Sequence, residues 1–295
     1  MGAMNAKIKG SLLLLTASLI WGCAFVAQSV GMEQVTALTF HCVRFFLAGV
    51  AMLCLLLVRG RSGINALRPA FKGGVVCGAA LCAASLSQQY GIAYTTVGKA
   101  GFITSMYMLA VPIYCLFLGK KPEWKIWPCV AVAIGGLYLL SGSGETLRLS
   151  RGDSLVLLCA LLFGVQILCV DRFAPQCDPA ALNCVQSFTS SLLTLPFMLA
   201  IDGPDWSSVA KAALPIFYAG VMSGGVAYAL QIVGQRDVQP AVASMLMSLE
   251  SVFAALGGWL ILGQGMTARE LAGSVLMFGA VIFAQLPAPK RSPKP

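Results

Sequence analysis

Long, continuously apolar runs separated by short polar connections account for nearly the whole chain. Ten can be marked, at approximately 11–30, 36–58, 73–94, 97–118, 126–140, 154–170, 179–201, 212–233, 240–262 and 271–286. About 20 apolar residues make a membrane-spanning helix. The runs lack the strict alternation of barrel strands, and inside lipid a continuous apolar segment satisfies its own backbone as a helix. The pattern predicts an all-α integral membrane protein of ten transmembrane helices. Lys7 and Lys9 precede the first run as they would in a signal peptide, but its length and the runs that follow predict an uncleaved first helix.

The second five runs repeat the first five. Lys9-Gly10-Ser11 opens the first run, which carries Ala17-Ser18-Leu19-Ile20-Trp21-Gly22; Arg151-Gly152-Asp153 opens the sixth, which carries Cys159-Ala160-Leu161-Leu162-Phe163-Gly164, an offset of 142. Gln88 and Gly91 match Gln231 and Gly234 at 143, and Leu116-Phe117-Leu118-Gly119-Lys120 matches Leu260-Ile261-Leu262-Gly263-Gln264 at 144. Leucine and glycine are common in membrane helices, so one match is weak; several in one order at nearly one offset indicate duplication. Five runs per half is an odd number, so the second half enters the membrane from the opposite side. The expected organisation is two inverted five-helix repeats, 1–143 and 144–289, and a basic cytoplasmic tail at 290–295. Transporters use such repeats to hold a solute between halves that exchange conformations; duplication that merely enlarged a structural or channel protein is the competing reading.

Composition narrows the picture. With 58% hydrophobic and 11% charged residues and a mean hydropathy of +0.82, the chain has more apolar side chain than a soluble core could hold. With a cytoplasmic N-terminus, 14 basic residues fall on the inner side and 5 on the outer, Lys99 among these, while Arg44 lies within a run. The positive-inside rule then puts both termini in the cytoplasm of a cell membrane, expected to be a bacterial inner membrane. The net charge of +9 is spread over connections, which predicts no nucleic-acid partner. Ten of the eleven cysteines lie in apolar runs and read as packing residues, with only Cys177 in a connection. One histidine and no metal-ligand spacing predict no cofactor. Neither hydrolase nor ATP-binding signatures occur, so neither an enzyme nor an ATP-driven pump is expected. Gly74 with Gly78 and Gly220 with Gly224 permit close helix approach within a monomer; a homodimer is allowed, not required.

Trp21-Gly22 with Phe25, Lys99-Ala100-Gly101-Phe102-Ile103-Thr104 with Pro112, and Glu250-Ser251-Val252-Phe253-Ala254-Ala255-Leu256 carry a resemblance to a family. Over Gly10 to about Leu286 the chain resembles an EamA-type member of the drug/metabolite transporter superfamily. It departs from the family at Ser251, where proline is frequent, and at Gln264, where an acid is frequent. The resemblance implies a cavity lined mostly by helices one to four and six to nine, with five and ten outside. It also implies transport, often outward, of small amino-acid-like, amine or drug-like solutes, with the lipid bilayer as the other partner. A channel or facilitator without alternating access is the alternative.

Ionisable groups inside membrane helices cost about 2.5–3.5 kcal/mol at the centre on insertion scales, and three stand out: His41, Arg44 and Glu250. Glu250 near the middle of its run fits a proton-coupling carboxylate or a ligand for a cationic group, against a structural acid held by neighbouring helices. Arg44 fits a carboxylate-binding group, against a snorkelling charge. His41 is a second proton-coupling candidate, against a hydrogen-bonded packing residue. Trp21, Gln88, Tyr107, Gln166, Tyr228 and Gln231 complete the candidate solute-binding set, with Gln28, Gln89, Tyr90, Ser105, Asn183 and Gln186 as further polar lining; interhelical hydrogen bonding is their competing role. Gln88 and Gln231 are repeat equivalents, which inversion would place at opposite membrane faces, as two gates or one site. The symmetry is expected to fail at His41, Arg44 and Glu250, opposite Ser, Val or Phe.

Overall fold

The computed structural model describes residues 2–95, 97–140, 150–262 and 267–286, and its regular elements are all helical. Among these residues nine helical spans are long and apolar enough to cross a membrane. The first three are α1 (Gly2–Gly31), α2 (Ala37–Val58) and, after the short α3 (Arg61–Asn65), α4 (Leu67–Ile92), which starts before its apolar run by taking in Arg68 and Lys72. The fourth run forms two helices, α5 (Val97–Thr104) and α6 (Tyr107–Phe117). The fifth forms α7 (Ile126–Leu140), whose 15 residues rise about 22 Å, short of a bilayer core of about 30 Å. The expected tail at 290–295, Gln264 and the side chain of Lys99 lie outside the described residues.

The second half begins with α8 (Arg151–Phe173), started by a capping box in which Ser150 accepts from the Asp153 N–H and Asp153 accepts from the Ser150 N–H. Next comes α9 (Pro179–Phe197), capped by Asp178 and continued by a π-helical turn to Asp202, where Gly203 at φ 54° ends it in the left-handed region. The short α10 (Trp206–Lys211) and α11 (Ala213–Phe217) lead into a π-helical segment, Tyr218–Ala227, and then α12 (Tyr228–Gly234). The ninth run is again two helices, α13 (Pro240–Met247) and α14 (Glu250–Leu262), and α15 (Ala268–Gln285) closes the chain.

Polar side chains are inside and large apolar ones outside. Gln28, His41, Arg44, Gln88, Gln89, Gln166, Asn183, Gln186, Gln231 and Glu250 are buried, whereas Phe46, Phe71, Phe117, Phe197, Phe217, Ile282 and Phe283 are exposed. Water would not tolerate that apolar exterior; hydrocarbon does, and a bilayer supplies it. The protein is therefore a multi-pass membrane protein.

Glycines set where the spans touch. A Cβ on Gly10 would lie 2.9 Å from the Gly234 carbonyl oxygen, and a Cβ on Gly152 would lie 2.9 Å from that of Gly91. Gly22 of α1 is closed by Phe253 and Ala254 of α14, and Gly164 of α8 by Ala110 and Tyr114 of α6. Gly220 packs on the Arg44 backbone, Gly78 on that of Gln186. Each contact thus has a counterpart 142 or 143 residues along the sequence, with the order of the partners exchanged. Outside these, α7 and α15 pack on each other, Gly136 meeting the Gly273 carbonyl.

Candidate functional site

The fourth and ninth spans break at matching places. The Met106 N–H bonds three residues back to the Ile103 carbonyl, and the Leu249 N–H to that of Leu246, so one tight turn separates the half-helices in each. The breaks touch: the Ser105 hydroxyl donates to the Ser248 carbonyl at 3.2 Å. That oxygen also accepts the Ser251 hydroxyl at 2.8 Å. Ser251, where the family pattern has proline, does not restore a continuous helix; both its N–H, at 3.2 Å, and its hydroxyl turn back to the Ser248 carbonyl. Tyr107 and Glu250 follow the two breaks as the first residues of α6 and α14.

Beside the breaks lies a partly open cavity, with ≈ 560 Å³ of empty space when the adjoining open solvent is counted. Trp21, Arg44, Gln88, Tyr107, Gln166, Tyr228, Gln231 and Glu250 all line it, eight of the nine residues singled out from the sequence. The lining is drawn from α1, α2, α4, α6, α8, the π-helical segment and α12 to α14. Gln88 and Gln231 both line this cavity. The ninth residue, His41, does not line it: its Nε2 meets the Ser85 hydroxyl at 2.8 Å and its Nδ1 the Thr194 hydroxyl at 3.0 Å, joining α2, α4 and α9. Arg44, three residues on, does line it, and both side chains pack on the Phe45 ring, the imidazole at 4.8 Å and the guanidinium at 4.9 Å.

The two ionisable side chains of the cavity, Arg44 and Glu250, are buried apart from groups of opposite charge among the described residues. Arg44 Nη1 donates to Gln28 Oε1 at 2.6 Å, its guanidinium lies over the Phe45 ring at 4.9 Å, and among the described residues its Nε has no hydrogen-bond partner. Glu250 is 5% exposed and its Oε1 is likewise unpartnered; the Tyr107 hydroxyl lies near it but outside ordinary hydrogen-bond geometry. Neither Arg44 nor Glu250 makes an ion pair within 4.0 Å among the described residues. At the offsets of the glycine contacts, His41, Arg44 and Glu250 correspond to Asn183, Gln186 and Tyr107. Polar character is thus kept in both halves, and the opposition to Ser, Val or Phe does not hold.

Asn183 and Gln186 on α9 act elsewhere. Asn183 Nδ2 donates to the carbonyls of Gly224 at 3.1 Å and Gly225 at 2.7 Å, and Trp21 Nε1 to that of Ser223 at 3.3 Å. These donors hold open the carbonyls of the π-helical segment, whose glycines give the α-helix little preference to defend. Ser223, Phe25, Phe45, Phe163 and Met247 also line the cavity, none of them among the solute-binding candidates chosen from the sequence. Their signal in the sequence was only position on a helix face, which apolar runs do not reveal.

A multi-pass helical membrane protein with broken helices around a buried polar cavity has the architecture of a solute transporter. The sequence profile of the EamA-like transporter family matches residues 8–142 and again 150–285, and the chain belongs to that family. It is 31% identical over 288 residues to an uncharacterized transporter of Archaeoglobus fulgidus, covering 97% of this chain and 89% of that one. It is 23% identical over 269 residues to the uncharacterized inner membrane transporter YedA of Escherichia coli, covering 90% and 87%. A partial match, 25% identical over 177 residues, covers 58% of this chain and 56% of the threonine/homoserine exporter RhtA of Escherichia coli. A solved crystal structure shares the fold, with a TM-score of 0.78 at 17% identity over 93% of this chain and 96% of that one.

Proposed function

We propose that this protein is a secondary transporter that moves a small amino-acid-like zwitterion outward by alternating access, using two inverted halves of five helices each. The observation that carries the reading is the cavity itself, where a guanidinium and a carboxylate are buried without counter-ions. An unpaired buried charge is expensive, and a solute carrying both charges relieves both at once, its carboxylate on Arg44 and its ammonium on Glu250. The inverted arrangement is supported by the family profile matching once in each half and by the exchanged glycine contacts. Outward transport of an amino-acid-like solute is the activity in the name of one relative. The basic-residue bias favours cytoplasmic termini, and the inner-membrane relative favours that location.

Uptake and counterflow in proteoliposomes test this against a panel of amino acids and amines. Saturable, protein-dependent flux accelerated by unlabelled solute on the opposite side is expected; saturable flux without that acceleration is the channel outcome. Arg44→Gln is expected to raise the half-saturation concentration at least tenfold for solutes with a free carboxylate, since a charge-assisted hydrogen bond contributes about 1.5–3 kcal/mol. Methyl esters of the same solutes should lose much less. No flux for any solute counts against the proposal.

A further inference from the structure

Gln166 and Gln231 form half of an amide pair. Gln231 Nε2 donates to Gln166 Oε1 at 3.2 Å, yet the second bond that would close a cyclic pair, from Gln166 Nε2 to Gln231 Oε1, is not made. Both side chains are fully buried, at 0% and 1% exposure, and both line the central cavity. Among the described residues the remaining donor and the remaining acceptor have no partner. A single hydrogen bond between two carboxamides leaves one NH2 group and one C=O group over, and turning both amides together only exchanges which residue carries which. A buried polar atom left unsatisfied costs about 1–3 kcal/mol, so this pair is built at a cost that a ligand would remove.

The opposite half shows what removes such a need. Gln88, at 143 residues from Gln231, donates to the Thr104 hydroxyl at 3.2 Å. The residue at 143 from Thr104 is Met247, which offers no comparable acceptor, and the residue at 142 from Gln166 is Ala24. Gln231 therefore turns to Gln166, and the open amide edge exists on one side of the cavity alone.

We infer that Gln166 and Gln231 together read an amide edge on the solute: the solute C=O accepts from Gln166 Nε2 while its N–H donates to Gln231 Oε1. The chemistry fits a primary carboxamide on a zwitterion, and it also fits the N–H/C=O edge of a nucleobase ring, toward which Trp21, Phe45 and Tyr228 present aromatic surface in the same cavity. The inference rests on the cavity being the solute site and adds what is chosen there.

The test uses the native protein in proteoliposomes and compares solutes with and without the amide edge. Glutamine is set against glutamate and norleucine, and uracil against 1,3-dimethyluracil, which lacks the N–H. At least a tenfold lower half-saturation concentration is expected for the amide member of one series, the discrimination of a bidentate amide contact; which series shows it identifies the source of the edge. In Gln231→Met the preference should fall to within about twofold, with Gln231→Asn retaining part of it. Saturable flux of any solutes without amide preference in either series overturns the inference while leaving the transport site standing. Absence of saturable flux for every solute overturns both. The solute comparison needs no variant, so a misfolded substitution does not remove the test.

Discussion

Arg44, Glu250 and His41 are all buried, but their surroundings give them different work. His41 has a partner at each ring nitrogen and fixes three helices together; Glu250 keeps a free oxygen in the cavity. Of the two proton-coupling candidates, Glu250 is the one that lines the cavity. Glu250→Gln is expected to abolish flux driven by a pH gradient while leaving counterflow, and pH-driven flux that survives removes Glu250 from coupling. His41→Leu is expected to leave the pH dependence of flux in place. It should lower stability by about 1–3 kcal/mol, because the Ser85 and Thr194 hydroxyls lose their shared partner, which thermal unfolding in detergent would register. Both residues are equally rare events in an apolar run; only the direction in which the helix turns them separates the roles.

At the scale of the element, glycine decides how closely two spans approach. Gly135 and Gly136 are adjacent in α7, yet a Cβ on Gly135 meets nothing within 4 Å, whereas one on Gly136 would lie 2.7 Å from the Gly273 carbonyl oxygen of α15. Gly135→Ala is expected to be neutral or to stabilise by up to about 1 kcal/mol through helix propensity. Gly136→Ala should cost about 1–3 kcal/mol by forcing α7 from α15. Equal unfolding temperatures for the two variants would contradict this packing. Helix breaks belong to the same scale and were much less legible. The fourth and ninth runs are apolar from end to end, and no proline lies at Ser105-Met106 or Ser248-Leu249. At the ninth-run break the Ser248 carbonyl takes the hydroxyl of Ser105 from the fourth run, a long-range contact.

Across the whole molecule, α2 and α9 lie side by side and are pinned at both ends. At one end Asp202 accepts the Thr39 N–H at 3.0 Å and the hydroxyls of Thr36 and Thr39. At the other, Arg59 makes a two-pronged ion pair with Asp178, at 3.1 and 2.8 Å, and Asp178 also caps α9 by accepting from the N–H groups of Ala180 and Ala181. Partial burial pushes the Asp178 carboxyl up, but the Arg59 guanidinium and these two backbone donors outweigh it and hold it below the usual carboxylate range. A depressed carboxylate contributes stability that is present above the unfolded value and lost as pH falls through the folded one. The contribution should thus be full at neutral pH, begin to fall at about pH 4 and be lost as the pH drops through the lower folded value. Because the pair is well exposed, most of what Asp178→Ala costs, about 1 kcal/mol, should come from the lost cap. Asp178→Asn should retain most of it at pH 7. Melting curves of the three proteins at pH 7 and pH 3.5 check both statements; a cost for Asp178→Ala that is unchanged at pH 3.5 would show that the charge plays no part.

The sequence by itself determined that the chain lives in a membrane, where its spans run, and which rare polar residues to watch, because each of these follows from local apolar length or from a repeat visible in one dimension. Eight of the nine chosen residues met in one cavity for that reason: in hydrocarbon a polar side chain has nowhere else to go. Tertiary structure alone decided that His41 faces away, that Asn183 props open a π-helical segment, and that Gln231 pairs with Gln166 rather than with a threonine. Those outcomes depend on which face of each helix meets which neighbour, and a run apolar on every side carries no record of its facing until the other helices pack against it.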